Sequence, residues 1–240
     1  MAGQGAVLTV RGEATRRVAP DVAVLSGSIT RTESSKAEAL AATAAAQGRL
    51  TEDLSRLGAV PLALDSEDEP LTWSAYSTST QAETRYNTET QRPEETGRVI
   101  ATVRITVAAR DMARLKELSA ALAHHESFHI HHVSWQVDDN NPGWTEVRRD
   151  AIHAAMRRAR DYAEALGTSL AAVEQVADTG LLEGSPRREP SAVGAPMMLA
   201  SRAAFDPEDA ADAPSLDPVP QTVWAVVEAR FLTAAATLAG

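Results

Sequence analysis

The sequence predicts an α+β fold, in which a mixed, mostly antiparallel sheet carries two long helices and one shorter helix on one face. Three observations support this prediction. Residues 98–109 alternate apolar and polar side chains, which is typical of a strand with one buried face. Residues 141–166 repeat alanine at four-residue spacing, which is typical of a closely packed helix. Strand and helix patterns follow one another in mixed order, as they do in α+β proteins.

The first elements are two strands and a long helix. Residues 6–11 and 21–31 are β-rich runs, and Pro20 lies in the gap between them, where a proline is tolerated. Residues 35–38 (SKAE) have the spacing of a capping box, in which the Ser and Glu side chains satisfy free backbone N–H groups. They predict a helix over residues 35–57.

Polar strands and a short helix follow. Residues 71–90 are rich in Thr, Ser, Tyr and Trp, which predicts one or two long strands in an exposed or edge position. Asp111 can cap the next helix, which carries leucines at 115, 118 and 122. Residues 129–137 alternate again and predict a strand.

The last helix begins at Asn141 and Pro142, a cap followed by proline at the first helical position, and we expect it to end at Gly167. It carries two apolar stripes, which predicts that partners cover it on two sides. The first stripe consists of Trp144, Val147, Ala151, Ala155, Tyr162 and Leu166, and the second of Ile152, Met156, Ala159 and Ala163. Strands are predicted at residues 171–177 and 222–232.

Between residues 182 and 217 proline recurs among Ser, Ala, Gly and charged residues, which predicts a flexible loop. Because a strand follows this loop, we expect it to interrupt a single domain over residues 1–240.

Composition excludes several classes of protein. The absence of cysteine excludes disulfides, thiol nucleophiles and Cys-ligated metal clusters. A net charge of −10 argues against a nucleic-acid binder, which needs a concentrated basic face. No apolar run approaches the roughly 18 residues of a membrane helix. Residues 1–12 lack the pattern of a secretory signal, so we expect a cytoplasmic protein.

Several segments together resemble the SIMPL-domain family. They are the opening strands at residues 10–14 (VRGEA) and 20–23 (PDVA), the stretch 133–139 (VSWQVDD), the alanine-periodic helix that leads into 165–173, and the closing strand 223–232. The resemblance implies an α+β fold, self-assembly into rings or channel-like oligomers, and no established catalytic residues. Bacterial relatives are commonly exported envelope proteins linked to oxidative-stress tolerance, and an animal relative is a kinase-pathway adaptor.

Five of the six histidines lie close together, at His124, His125, His129, His131 and His132. In a strand, His129 and His131 would project from the same face, in line with Val133 and Trp135. They could share a metal with His125 or Glu126 as the third ligand. The alternative is that they only occupy the solvent-exposed end of a buried apolar stripe. Because no standard ligand spacing is present, we assign no metal ligand and no cofactor.

Other candidate sites have structural explanations. Asp138 and Asp139 are adjacent and would point to opposite faces of a strand, so we interpret residues 138–141 as a turn and a helix cap. The sequence has no nucleophile elbow and no phosphate loop, and we assign no catalytic residue. The alanine stripes predict close packing within the monomer, with packing between subunits as the alternative. The polar strands at residues 71–90 and the closing strand could supply edges for such an assembly.

These observations predict a non-enzymatic, cytoplasmic, stress-related protein that forms homo-oligomers and presents surfaces to a protein partner. The alternative is a metal- or small-ligand-binding protein, or a weak hydrolase, that uses residues 124–139. A third interpretation is an envelope protein whose true start lies upstream.

Overall fold

The computed structural model describes residues 5–66, 68–182 and 216–235. The elements, in chain order, are β1 (Val7–Val18), β2 (Val22–Glu33), α1 (Lys36–Arg56), β3 (Val60–Pro61), β4 (Leu71–Asn87), β5 (Arg92–Ala109), a 3₁₀ turn (Met112–Arg114), α2 (Leu115–His124), β6 (Phe128–Gln136), α3 (Pro142–Ala165), β7 (Leu170–Asp178) and β8 (Gln221–Thr233). Paired strands are antiparallel except for β3, which is parallel to β4. The predicted α+β class is therefore confirmed, although the described strands form two sheets rather than one.

The chain divides into two compact units, each with its own sheet. The first unit combines the described parts of Met1–Ala19, Val137–Met197 and Pro220–Gly240, and its sheet has the order β1-β8-β7. The second combines Pro20–Gln136 with the described part of Met198–Val219, and its sheet has the order β3-β4-β5-β2-β6. The single domain over residues 1–240 stays a prediction. Most of the loop predicted at 182–217 lies outside the described residues.

In the first unit, one stripe of α3 packs on β1 and β8. Its alanines are 0–1% exposed, and they are Ala151, Ala155, Ala159 and Ala163. Ala151, Ala155 and Ala159 pack in one cluster with apolar residues of the sheet, namely Val10, Val227 and Phe231. Packing within the monomer is therefore confirmed for these alanines. The expectation of burial on two sides is wrong, because Ile152 of the second stripe is 37% exposed.

The contact between α3 and β1 is closest at Gly12. A Cβ atom at this position would lie 2.1 Å from the carbonyl oxygen of Ala151 and 2.8 Å from the Cβ of Ala155. Both distances are far below van der Waals contact, so strand and helix backbones can approach this closely only because Gly12 has no side chain.

In the second unit, α1 and α2 cover one face of the five-stranded sheet, here called the inner face. Leu50 and Leu54 of α1 pack with apolar residues of β2 and β5. Leu118 and Leu122 of α2 complete the same core. The opposite face, here called the outer face, holds the polar positions of these strands.

Side-chain caps begin the helices as predicted. The Ser35 Oγ accepts a hydrogen bond from the Glu38 N–H at 3.2 Å, and the Asn141 Oδ1 accepts one from the Gly143 N–H at 2.8 Å. The Asp111 Oδ1 also accepts a hydrogen bond, from the Ala113 N–H at 3.0 Å, but the turn that it caps is the 3₁₀ turn that precedes α2.

Two strands are longer than their apolar patterns predict. β1 continues to Val18 because residues 12–18 pair with 221–227 of β8. β5 begins at Arg92 rather than Arg98 because it forms a long hairpin with β4. In both strands the ladder of backbone hydrogen bonds extends the element through polar sequence.

Substitution of Gly12 by alanine should destabilise the protein by about 1–3 kcal/mol, because α3 must move away from β1. The matched control is Gly48→Ala in α1, where an added Cβ meets no atom within 4 Å. This change should stabilise the protein by up to about 1 kcal/mol, because alanine favours a helix over glycine. Chemical denaturation of both variants measures the difference. A Gly12→Ala variant as stable as the wild type would contradict the packing argument.

Candidate functional site

The outer face of the five-stranded sheet is a polar surface built from cross-strand pairs. The Thr30 Oγ1 lies 3.1 Å from the Thr102 Oγ1, and the Ser74 Oγ lies 2.9 Å from the Thr106 Oγ1. Such pairs of hydroxyl groups satisfy one another and add to sheet stability. The outer face therefore presents hydroxyl groups in rows across the strands.

A β-bulge in β6 determines where the histidines point. Ser26 pairs with His132 and Gly27 pairs with Ile130, so His131 is the extra residue of the bulge. Before and after His131 along β6, the side chains of Phe128, Val133 and Trp135 are buried in the core. The prediction that His129 and His131 line up with Val133 and Trp135 is therefore wrong, because the bulge reverses the alternation.

The histidines lie instead on the outer face, beside Ser28. The His131 Nε2 is 2.9 Å from the Ser28 Oγ, and both His129 and Arg104 are registered directly opposite Ser28. Ser28 is 6% exposed, whereas Arg104, His129 and His131 are exposed. We call Arg104, Ser28, His129 and His131 the Ser28 row.

The geometry does not favour the alternative in which the histidines share a metal ion. Among the described residues, no group of three or more His, Asp or Glu side chains is placed to hold a metal ion. The Arg104 guanidinium, directly opposite Ser28, would also repel a cation.

The contact between Ser28 and His131 has the length of a nucleophile–base pair. A hydrolase also needs a group that orients the histidine and donors that stabilise an oxyanion. In the described part of the chain, no carboxylate forms a hydrogen bond or ion pair with His131. The backbone around Ser28 is engaged in strand ladders on both sides. The arrangement is therefore better suited to binding than to acyl transfer.

The acidic stretch before α3 is a turn and a helix cap, as predicted. The Asn141 N–H donates to the Asp138 carbonyl at 3.0 Å, and the Trp144 Nε1 donates to the same carbonyl at 2.9 Å. These contacts fold residues 138–141 into the start of α3.

A shallow cavity of about 340 Å³ lies at one end of the outer face, beneath the loop that follows β3. Val22, Val24 and Ala108 form its floor, and Leu62 and Ser66 come from the loop. The Ser66 Oγ donates to the Ala63 carbonyl at 2.9 Å. The polar groups of the loop are therefore used to hold the loop together.

The turn between α2 and β6 contains a histidine, His125, whose surroundings favour its neutral form. Burial lowers the pKa of His125; the charges of Arg49 and Arg31 act in the same direction, and those of Asp53 and Glu126 oppose it. The His125 Nδ1 accepts a hydrogen bond from the Ser127 N–H at 3.3 Å. Only an unprotonated Nδ1 can accept this bond.

Sequence reasoning identified the histidines but missed Ser28 and Arg104 as their neighbours. The alternation at residues 98–109 places Arg104 on a polar face. Nothing in the sequence indicates that β2 lies between β5 and β6, and this strand order brings the three side chains together.

Acidification should remove a contribution of His125 to stability. The unfolded chain binds a proton near the ordinary imidazole pKa of about 6.5, whereas the folded chain binds it only at lower pH, so stability falls as the pH falls below that value. His125→Asn keeps an acceptor for the Ser127 N–H but cannot take up the proton. Between pH 7.5 and 5.5 the melting temperature should therefore fall less in this variant than in the wild type.

The control for this experiment is His153→Asn, which changes an exposed histidine of α3. It should show the same fall in melting temperature as the wild type. An equal fall in all three proteins would contradict a role for His125.

Comparison with models of known protein families identifies a match. The model of the SIMPL family, described as a protein of unknown function (DUF541), matches residues 8–231. A search of curated proteins finds no match. In the described residues, no helix is long and apolar enough to cross a membrane. The family match spans nearly the whole chain and both units, and the chain therefore belongs to the SIMPL family.

Proposed function

We propose that this SIMPL protein is non-enzymatic and self-associates through the free edge of β4, presenting the assembled surface to other proteins. A cytoplasmic location and a link to stress belong to the same proposal. The observation that supports it is the long unpaired edge of the β4–β5 hairpin.

The edge is long and almost free of structural cover. β4 has 17 residues and pairs with β5 along most of its length. On its other side it pairs only at Thr72 and Trp73, with β3. Within the described residues, the segment 74–87 therefore has an edge without a partner strand. Such an edge is a template for pairing with another chain.

A second copy of the same strand fits this edge. β4 has an irregularity in its pairing with β5 between Ala82 and Thr84. If two copies pair antiparallel about Thr84 with regular spacing along the free edge, Glu83 of each copy lies opposite Arg85 of the other. Opposite charges placed directly across two strands are favourable, and the twofold symmetry produces the pair twice. The same alignment places the exposed Tyr86 opposite Ala82. The edge is thus self-complementary in charge.

Two other predicted interfaces have less support. β8, the closing strand, is paired on both sides by β1 and β7, so it offers no edge. The alanine stripe of α3 is buried against its own sheet. β7 does offer an edge, and Val173 and Val176 on it are exposed. The β4 edge is longer than the edge of β7, and β7 has no basic residue that could pair with its acidic ones.

Charge reversal tests the proposed interface. Glu83→Arg and Arg85→Glu should each weaken self-association by about ten-fold, because each places like charges opposite one another twice. The double variant Glu83→Arg/Arg85→Glu restores the opposite pairs and should recover the wild-type assembly. Light scattering across a concentration series measures the mass of each species against the 25.5 kDa of the monomer.

The matched control is Glu164→Arg, on the exposed surface of α3. It should leave the assembly unchanged. A wild-type protein that stays monomeric at high micromolar concentration would overturn self-association. An assembly that neither single reversal weakens would overturn the β4 edge as its interface.

The second candidate function is the binding of a small ligand in the region of residues 124–139. The observation that favours it is the Ser28 row, in which His129 and His131 lie beside a hydroxyl and a guanidinium group.

A further inference from the structure

The middle of the outer face of the second unit carries no carboxylate, although the chain as a whole is acidic. Asp and Glu number 33 against 23 Lys and Arg. Between the row that contains Val24 and the row that contains Thr30, the outward positions of β4, β5, β2 and β6 hold hydroxyl and small side chains but no carboxylate. The charged or titratable groups there are Arg104, His129, His131 and His132. This patch therefore differs in charge from the rest of the chain.

The Ser28 row brings hydrogen-bond donors together at the centre of this patch. Directly opposed residues on neighbouring strands have Cβ atoms about 5 Å apart, so Arg104 and His129 flank Ser28 from the two sides. The bulge adds a third group, because it turns His131 toward Ser28. A long, flexible guanidinium group and imidazoles can reach one point above the Ser28 hydroxyl.

The contact between His131 and Ser28 also determines which proton is available to a ligand. When the His131 Nε2 carries a proton, it donates that proton to the Ser28 Oγ. The hydroxyl proton of Ser28 is then free to donate to a group above the sheet. In this arrangement the Ser28 row presents donors from three different side chains.

We propose that the Ser28 row binds an oxyanion, a phosphate or sulfate group, on the outer face of the sheet. The guanidinium of Arg104 pairs with two oxygens of such a group, as arginine does with phosphates. Ser28 and His129 donate to the remaining oxygens. The same charge that attracts the oxyanion repels a metal ion, so the histidines serve an anion site rather than a metal site.

This site is separate from the proposed self-association. The β4 edge at residues 83–85 lies near the turn of the β4–β5 hairpin, whereas the Ser28 row is centred on β2. Either property can therefore be present without the other.

Titration calorimetry of the full chain with inorganic phosphate, and separately with sulfate, tests the proposal. Chloride keeps the ionic strength constant, so a general salt effect is removed from the comparison. We expect saturable binding of one anion to one site per chain. Binding of both anions identifies a general oxyanion site, and binding of phosphate alone identifies a phosphoryl site.

Two variants with matched controls locate the site. Arg104→Gln should weaken binding by about ten-fold, since it removes a charge-assisted hydrogen bond, and Ser28→Ala should weaken it measurably. The controls are Arg157→Gln on α3 and Ser79→Ala on the outer face, both at exposed positions. Each should bind as the wild type does. Circular dichroism and melting temperature establish that all four variants are folded.

The absence of saturable phosphate or sulfate binding in the wild type would overturn the proposal. Equal losses in Arg104→Gln and Arg157→Gln would also overturn it, because they would show diffuse attraction rather than a site.

Discussion

The close approach of α3 to β1 is the interaction on which the first unit depends. The chain has 46 alanines and few bulky apolar residues, so its helices gain little from large side chains. They gain instead from short distances between backbones, which increase the number of dispersion contacts that small side chains can make. Gly12 and the alanines of α3 permit that distance. In the second unit, the leucines of α1 and α2 supply a more conventional core.

Helices that cover only one face of a sheet leave its other face and its edges in water. In the second unit this exposes the outer face and most of the β4 edge. These surfaces are polar, so their exposure to water costs little, and the proposed pairing and binding use them. The candidate functions of this SIMPL protein therefore lie on strand surfaces rather than in a deep cleft.

The histidine region shows how far local sequence can predict a site. The density of histidines indicated that residues 124–132 were unusual, and the strand there was predicted within one residue of its ends. The predicted directions of the side chains were wrong, because a bulge inserts one residue into β6, a strand that contains no glycine or proline to indicate it. Ser28 and Arg104 are about 100 and 27 residues away from His131 in the chain; only pairing between strands makes them its neighbours.

The sequence by itself determined the α+β class, the caps of the long helices and the alanine stripe of α3, because each depends on interactions within a few residues along the chain. The tertiary structure decided the division into two sheets, the strand order that surrounds β2, the length of the β4–β5 hairpin and the bulge at His131. These features depend on backbone hydrogen bonds between distant segments, and every residue type can form such bonds, although proline can only accept them. Their partners therefore leave no local pattern in the amino-acid sequence.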